Sequence, residues 1–127
     1  MKPPDHFPGR WTRRFRCAGR GLWYVLRHEP SGRVHAVAVG AVMILGGWLR
    51  IPAVEWAGLA LAAGGVVAAE ALNTAIERLA DRVSRQEEEA IRLIKDVAAG
   101  GVLAATIGAV AVGLALLGPR LWARFAA

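Results

Sequence analysis

Only one cysteine, Cys17, occurs in the 127 residues, so no internal disulfide can close and no CxxC element exists to build a zinc site. No GxxxxGK[ST] loop, kinase glycine loop with HRD and DFG elements, or HExxH helix is present, which excludes the familiar soluble nucleotide folds and zinc proteases. Acidic residues are also scarce, ten against sixteen Lys+Arg, and none falls within 34–49, 56–69 or 97–117. With only 20% charged residues and 55% hydrophobic ones, disorder and collagen-like structure are excluded. A signal peptide is not read at the start, because the first strongly apolar run begins more than thirty residues in.

What is present is a set of long runs of Ala, Val, Leu and Gly separated by blocks of charge. About 18 consecutive apolar residues suffice to span a bilayer. The net charge of +6 would suggest a nucleic-acid partner in a soluble chain. In blocks between apolar runs it describes a membrane protein instead, and no nucleic acid is expected.

Pro3, Pro4, Pro8 and Gly9 mark residues 1–10 as an irregular leader. From about 11 to 28, Trp11, Phe15, Ala18, Leu22, Val25 and Leu26 recur at helical spacing among arginines, the pattern of a basic amphipathic helix seated at an anionic membrane surface. Glu29-Pro30-Ser31-Gly32 is expected to break it, with Gly32 supplying backbone freedom. Three spans are expected in one domain over 11–118. The first covers about 34–49, short for a bilayer and lengthened by snorkelling Arg33 and Arg50. The second covers 53–83, including an amphipathic extension, and the third 90–117, ending at Gly118-Pro119 before a tail over 119–127. The loop between the last two spans runs from Ser84 to Glu89. Gly46-Gly47, Gly64-Gly65 and Gly100-Gly101 read as small residues that let membrane helices approach. The fold class is therefore all-α integral membrane.

Eight of the sixteen basic residues lie in 1–33, five between the last two spans, and Arg50 alone between the first two. The positive-inside rule accordingly puts the N-terminus and the 77–96 segment in the cytoplasm.

Glu70 is the anomaly, a carboxylate at the inner end of an apolar span, with Asn73 and Glu77 at i+3 and i+7 on the same helix face. Snorkelling, or pairing with an arginine such as Arg78, is the plainer reading and weighs more for Glu77 than for Glu70. Lys95-Asp96 lies across the loop, and Glu29 on the same side. Acids at 29, 70, 77 and 96 can hold a hard cation, while Lys95 and Arg33 can hold phosphates, the ingredients of phosphoryl transfer. His28 and His35 could ligate a metal but read chiefly as capping, hydrogen-bonding or headgroup contacts.

The stretch Glu70-Ala71-Leu72-Asn73-Thr74-Ala75-Ile76-Glu77, followed by Asp81, resembles the E-x-x-N-[ST]-A-I-E-x-x-x-D signature of the small prokaryotic diacylglycerol and undecaprenol kinase family. Lys95-Asp96-Val97-Ala98-Ala99-Gly100 resembles its K-D-x-A element. Glu29, Arg33 and His35 resemble the E-x-N-x-R-x-H of the undecaprenol kinase branch, with Ser31 where that branch has asparagine. The resemblance covers about residues 15 to 118. It implies a homotrimeric inner-membrane enzyme using ATP and Mg²⁺, with a surface helix and three spans per subunit and sites between subunits. It further implies Glu70 as the catalytic base for the lipid hydroxyl, Glu29 and Glu77 as magnesium ligands, Lys95 and Asp96 as nucleotide contacts, and Asn73 and Arg33 in support. The expected activity is transfer of the γ-phosphate of ATP to a membrane lipid alcohol, undecaprenol ahead of diacylglycerol. The competing reading is a non-catalytic assembly protein in which Glu70, Asn73 and Glu77 join helices by hydrogen bonds. Such a site would tolerate glutamine at 70 and 77.

Overall fold

The computed structural model describes residues 7–84 and 88–126. Four helices follow one another: α1 (Phe7–His28), α2 (Pro30–Trp48), α3 (Ala53–Val83) and α4 (Glu89–Phe125). Residues 1–6 of the expected leader, residues 85–87 of the expected polar loop and Ala127 lie outside the described residues, while residues 7–10, expected as irregular leader, already form the first turn of α1.

The break between α1 and α2 is narrower than the four residues expected. Glu29 alone is extended (φ −98°, ψ 123°) and Pro30 opens α2, where its missing N–H costs nothing because a first-turn N–H has no intrahelical acceptor. Gly32 is helical, and no glycine among the described residues has positive φ. Its role is steric: a Cβ there would meet Val25 Cγ1 and the Val25 carbonyl oxygen at 2.9 Å. The α1–α2 corner therefore closes through absence of a side chain, and not through backbone freedom.

At the other end of α2, Arg50 takes the left-handed conformation (φ 51°), while the Ile51 N–H bonds back to the Gly46 carbonyl at 3.3 Å. This Schellman-like closure drops Ile51 into the core. Ile51, Leu59 and Leu117 are buried together, with Val42, Leu45, Trp56 and Leu116 packed around them. Gly46 permits this packing, since a Cβ there would lie 2.9 Å from the Trp56 ring.

Two further expectations are corrected. The third span does not end at Gly118-Pro119; α4 continues through Pro119 to Phe125. Arg120, on the turn beyond the proline, forms a two-pronged ion pair with Glu55 of α3, its Nη2 2.8 Å from Oε1, and also bonds the Leu116 carbonyl at 2.8 Å. These contacts tie down the helix that the proline weakens. Secondly, Gly47, Gly64, Gly65, Gly100 and Gly101 face no neighbouring atom within 4 Å of a built Cβ, so within the chain they bring no helices together.

α4 packs chiefly against α3, with α2 and α1 leaning on that hairpin. Among the described residues α3 and α4 are long and apolar enough to cross a membrane, and only 6% of the most apolar stretch of α4 is buried. A core helix of a soluble protein would be mostly buried. α2, with 19 residues, has Ser31, Arg33 and His35 in its opening turns. Leu61, Leu72, Leu103, Ile107 and Leu114 all stand exposed, a surface that water would not tolerate and lipid or other apolar helices would cover.

Candidate active site

Glu70 lies where the apolar part of α3 gives way to its polar extension, and it is 3% exposed. It does not snorkel. An unpartnered carboxylate at such a position would be costly, and its partners come from α2. Ser31 Oγ donates to Oε2 at 3.1 Å, and His35 Nε2 lies 2.9 Å from Oε1. Ser31 and His35 are four residues apart and share one face of α2. Because Pro30 starts that helix directly after Glu29, Ser31 already lies on its first turn.

One turn along α3, Asn73 Nδ2 donates to Glu77 Oε1 at 3.0 Å. The Asn73 Oδ1 is buried and has no hydrogen-bond partner among the described residues, as is Thr106 Oγ1 further into the membrane region. The anticipated pairing of Glu77 with Arg78 is not what forms. Arg78 Nη2 bonds Glu29 Oε1 at 3.0 Å, and its guanidinium sits over the Tyr24 ring, 4.7 Å from the centroid. Tyr24 stacks on His28, whose Nδ1 lies 3.2 Å from the Tyr24 carbonyl oxygen. Arg78 thereby ties the α1–α2 corner to α3.

Lys95, on the second turn of α4, pairs with Asp81 of α3. Next to it, an open cleft of about 600 Å³ is lined by Arg78, Leu79, Asp81 and Arg82. Arg33 and Asp96 are exposed. Of the residues expected to act together, the structure joins Asn73 to Glu77, brings Glu29 to Arg78 and Lys95 to Asp81, and leaves Arg33 and Asp96 outside these contacts. Among the described residues no three His, Cys, Asp or Glu side chains gather into a ready-made metal cage. Asn73 Oδ1 and the second oxygen of Glu77 are nevertheless hard donors, suited to a cation that takes few protein ligands and fills its shell with phosphate oxygens and water.

His35, which the sequence reads chiefly as a capping, hydrogen-bonding or headgroup contact, lies against the Glu70 carboxylate. Its spacing of four from Ser31 was the available signal, but only the α2–α3 packing shows which acid the two groups meet. His35 also stands at one end of an apolar groove of about 340 Å³ between α2, α3 and α4, lined by Val39, Leu59, Val66, Val110 and Leu114 among others.

A helical membrane protein with a buried carboxylate beside an apolar groove, and basic residues around a cleft nearby, is the class this geometry defines. A sequence profile of the prokaryotic diacylglycerol kinases matches residues 16–117. The chain is 35% identical over 112 residues to the undecaprenol kinase of Bacillus subtilis, covering 88% of this chain and 91% of that one. It is 39% identical over 108 residues to a diacylglycerol kinase of Synechocystis, covering 84% of this chain but 62% of that longer protein. It is 31% identical over 118 residues to the diacylglycerol kinase of Escherichia coli K12, covering 91% and 93%. The chain belongs to the prokaryotic diacylglycerol kinase family and is a lipid kinase.

Proposed function

We propose that this kinase transfers the γ-phosphate of ATP to the hydroxyl of a membrane lipid alcohol, undecaprenol in preference to diacylglycerol, with Glu70 as the general base. The observation that carries this reading is the burial of Glu70 with Ser31 Oγ donating to one carboxylate oxygen and His35 Nε2 2.9 Å from the other. An ionised carboxylate held this way keeps lone pairs for an incoming hydroxyl. The apolar groove beginning at His35 supports a long-chain alcohol whose hydroxyl end reaches Glu70.

In the reaction, Glu70 takes the hydroxyl proton as the lipid oxygen bonds to the γ-phosphorus and the bond to the β,γ-bridging oxygen breaks, releasing ADP. Glu77 and Glu29, with Asn73 Oδ1 adjoining, would hold Mg²⁺, which when bound offsets charge on the phosphates. Lys95 and Asp96 would contact the nucleotide, and Arg33 would support the phosphate end. In the free chain Glu29 is engaged by Arg78 and Lys95 by Asp81, so this assignment requires both pairs to open or share their partners when nucleotide arrives.

We further place the protein in the bacterial plasma membrane, as three spans per subunit with the N-terminus and the active site cytoplasmic, following the distribution of basic residues. The homotrimer implied by the family resemblance would cover apolar faces of α3 and α4 that stand open in the single chain. The preference for undecaprenol rests on Glu29, Arg33 and His35 and on the likeness to the Bacillus subtilis enzyme.

Transfer from labelled ATP in mixed micelles, with undecaprenol and diacylglycerol offered side by side in Mg²⁺, tests the reading. Labelled polyprenyl phosphate that disappears with Glu70→Gln is the expected result. Product from diacylglycerol alone would overturn the substrate assignment, and full activity of Glu70→Gln would overturn the base.

A further inference from the structure

We propose that His35 is the positioning residue of this kinase: assisted by Ser31, it orients the Glu70 carboxylate for the lipid hydroxyl. The proposal rests on the reading of Glu70 as the base. Nothing on α3 itself holds that side chain. Its neighbours in sequence are Ala68, Ala69, Ala71 and Leu72, the residues one turn away are Val66 and Thr74, and Asn73 is turned to Glu77. The orientation of the carboxylate is thus set from α2, with Nε2 of His35 2.9 Å from Oε1 and Oγ of Ser31 donating to Oε2 at 3.1 Å. Two groups one helical turn apart, a hydroxyl donating to one oxygen and an imidazole nitrogen against the other, fix both the direction and the plane of the carboxylate. Each oxygen retains a second lone-pair site.

The identity of the group matters as much as its place. A permanently charged arginine against Glu70 would hold the carboxylate ionised at the expense of its basicity, because a nearby cation favours the anion over the protonated acid. An imidazole N–H can orient the group without a fixed charge. None of the arginines described here contacts Glu70; Arg33, on α2 between Ser31 and His35, is exposed, and Arg78 is occupied by Glu29. The side chain of His35 is 20% exposed against 4% for Glu70, and it lines the apolar groove as well. It therefore stands where the groove meets the carboxylate.

The test compares His35→Leu, His35→Gln and Ser31→Ala in the full-length protein, in micelles, with kcat and KM determined separately for ATP and the lipid, and folding checked by thermal unfolding. Glutamine places an amide N–H near the position of the histidine Nε2 but carries no titratable group. The expected result is a fall in kcat on the order of 10²-fold for His35→Leu, as misplacing a reacting group entails. KM values should stay unchanged, and His35→Gln should recover most of the loss. Ser31→Ala should show a smaller loss of the same kind. Wild-type kcat in His35→Leu, or a glutamine variant as impaired as the leucine one, would overturn the proposal. So would a loss that appears only as raised KM. If His35→Leu does not fold, the glutamine and Ser31→Ala variants decide: unchanged kcat in Ser31→Ala together with a crippled His35→Gln overturns it. Activity in Glu70→Gln would mark failure of the underlying base assignment. An inactive Glu70→Gln beside a fully active His35→Leu would mark failure of this inference alone.

Discussion

The two ends of the helical hairpin treat a buried or half-buried acid in opposite ways. At the end near the α2–α3 turn, Glu55 is matched by Arg120 in a two-pronged pair, beside the Ile51, Leu59 and Leu117 core and an Arg124–Trp48 cation–π contact. At the other end Glu70 is more deeply buried, yet it is held by a hydroxyl and an imidazole, with an unpaired amide oxygen one turn away. A fixed opposite charge in good geometry closes a site and fastens helices. A carboxylate met by a hydroxyl and an imidazole, with no fixed counter-charge, keeps lone pairs for a further partner. The comparison teaches that the depth of an acid matters less than what answers it.

The sharpest way to break the contrast is to remove each acid in turn. Glu70→Gln preserves shape and should lower kcat by about 10²–10⁴-fold, the range ascribed to general acid–base catalysis, while leaving the unfolding temperature near that of wild type. Glu55→Gln should do the reverse. It removes the carboxylate charge opposite Arg120, whose side chain is 37% exposed, so solvent screening limits the cost to about 1–2 kcal/mol. Its kcat should be unaltered, and a joint Glu55→Leu and Arg120→Leu change should restore much of the stability. Loss of activity in Glu55→Gln at full stability would show that the two ends are coupled.

A second pair of substitutions sharpens the comparison at the level of glycine. Gly32→Ala drives a Cβ against Val25 beside both Glu29 and Ser31, and should cost about 1–3 kcal/mol with a reduction in kcat, read by unfolding and by transfer assay. Gly64→Ala meets nothing within 4 Å and should change subunit stability least, within about 0.5 kcal/mol. A large effect of Gly64→Ala would reveal close packing of that face against another subunit, which crosslinking of the same variant would confirm.

Much of the fold and of the site is legible in the sequence. Apolar runs without acids announced a helical membrane protein, and the 70–77 stretch announced the acid and amide face, because helical periodicity and the cost of burying charge are local properties of a sequence. The end of α4 is not legible for the same reason. Proline and glycine argue locally for a stop, and nothing near Arg120 in sequence reveals that Glu55, 65 positions away, waits to bond it. Gly32 looked like a source of freedom, since its steric role depends on Val25 returning to it across the corner.

The chain's own order of residues thus determined that it is helical, that it belongs in a bilayer, and which acids could matter. Only the packing of α2 and α4 on α3 decided that Glu70 is met by Ser31 and His35, that Glu29 is met by Arg78, and that Arg120 is answered by Glu55. Periodicity and hydrophobicity act over a few turns of one helix, whereas the partner of a charge is set by which helix faces it.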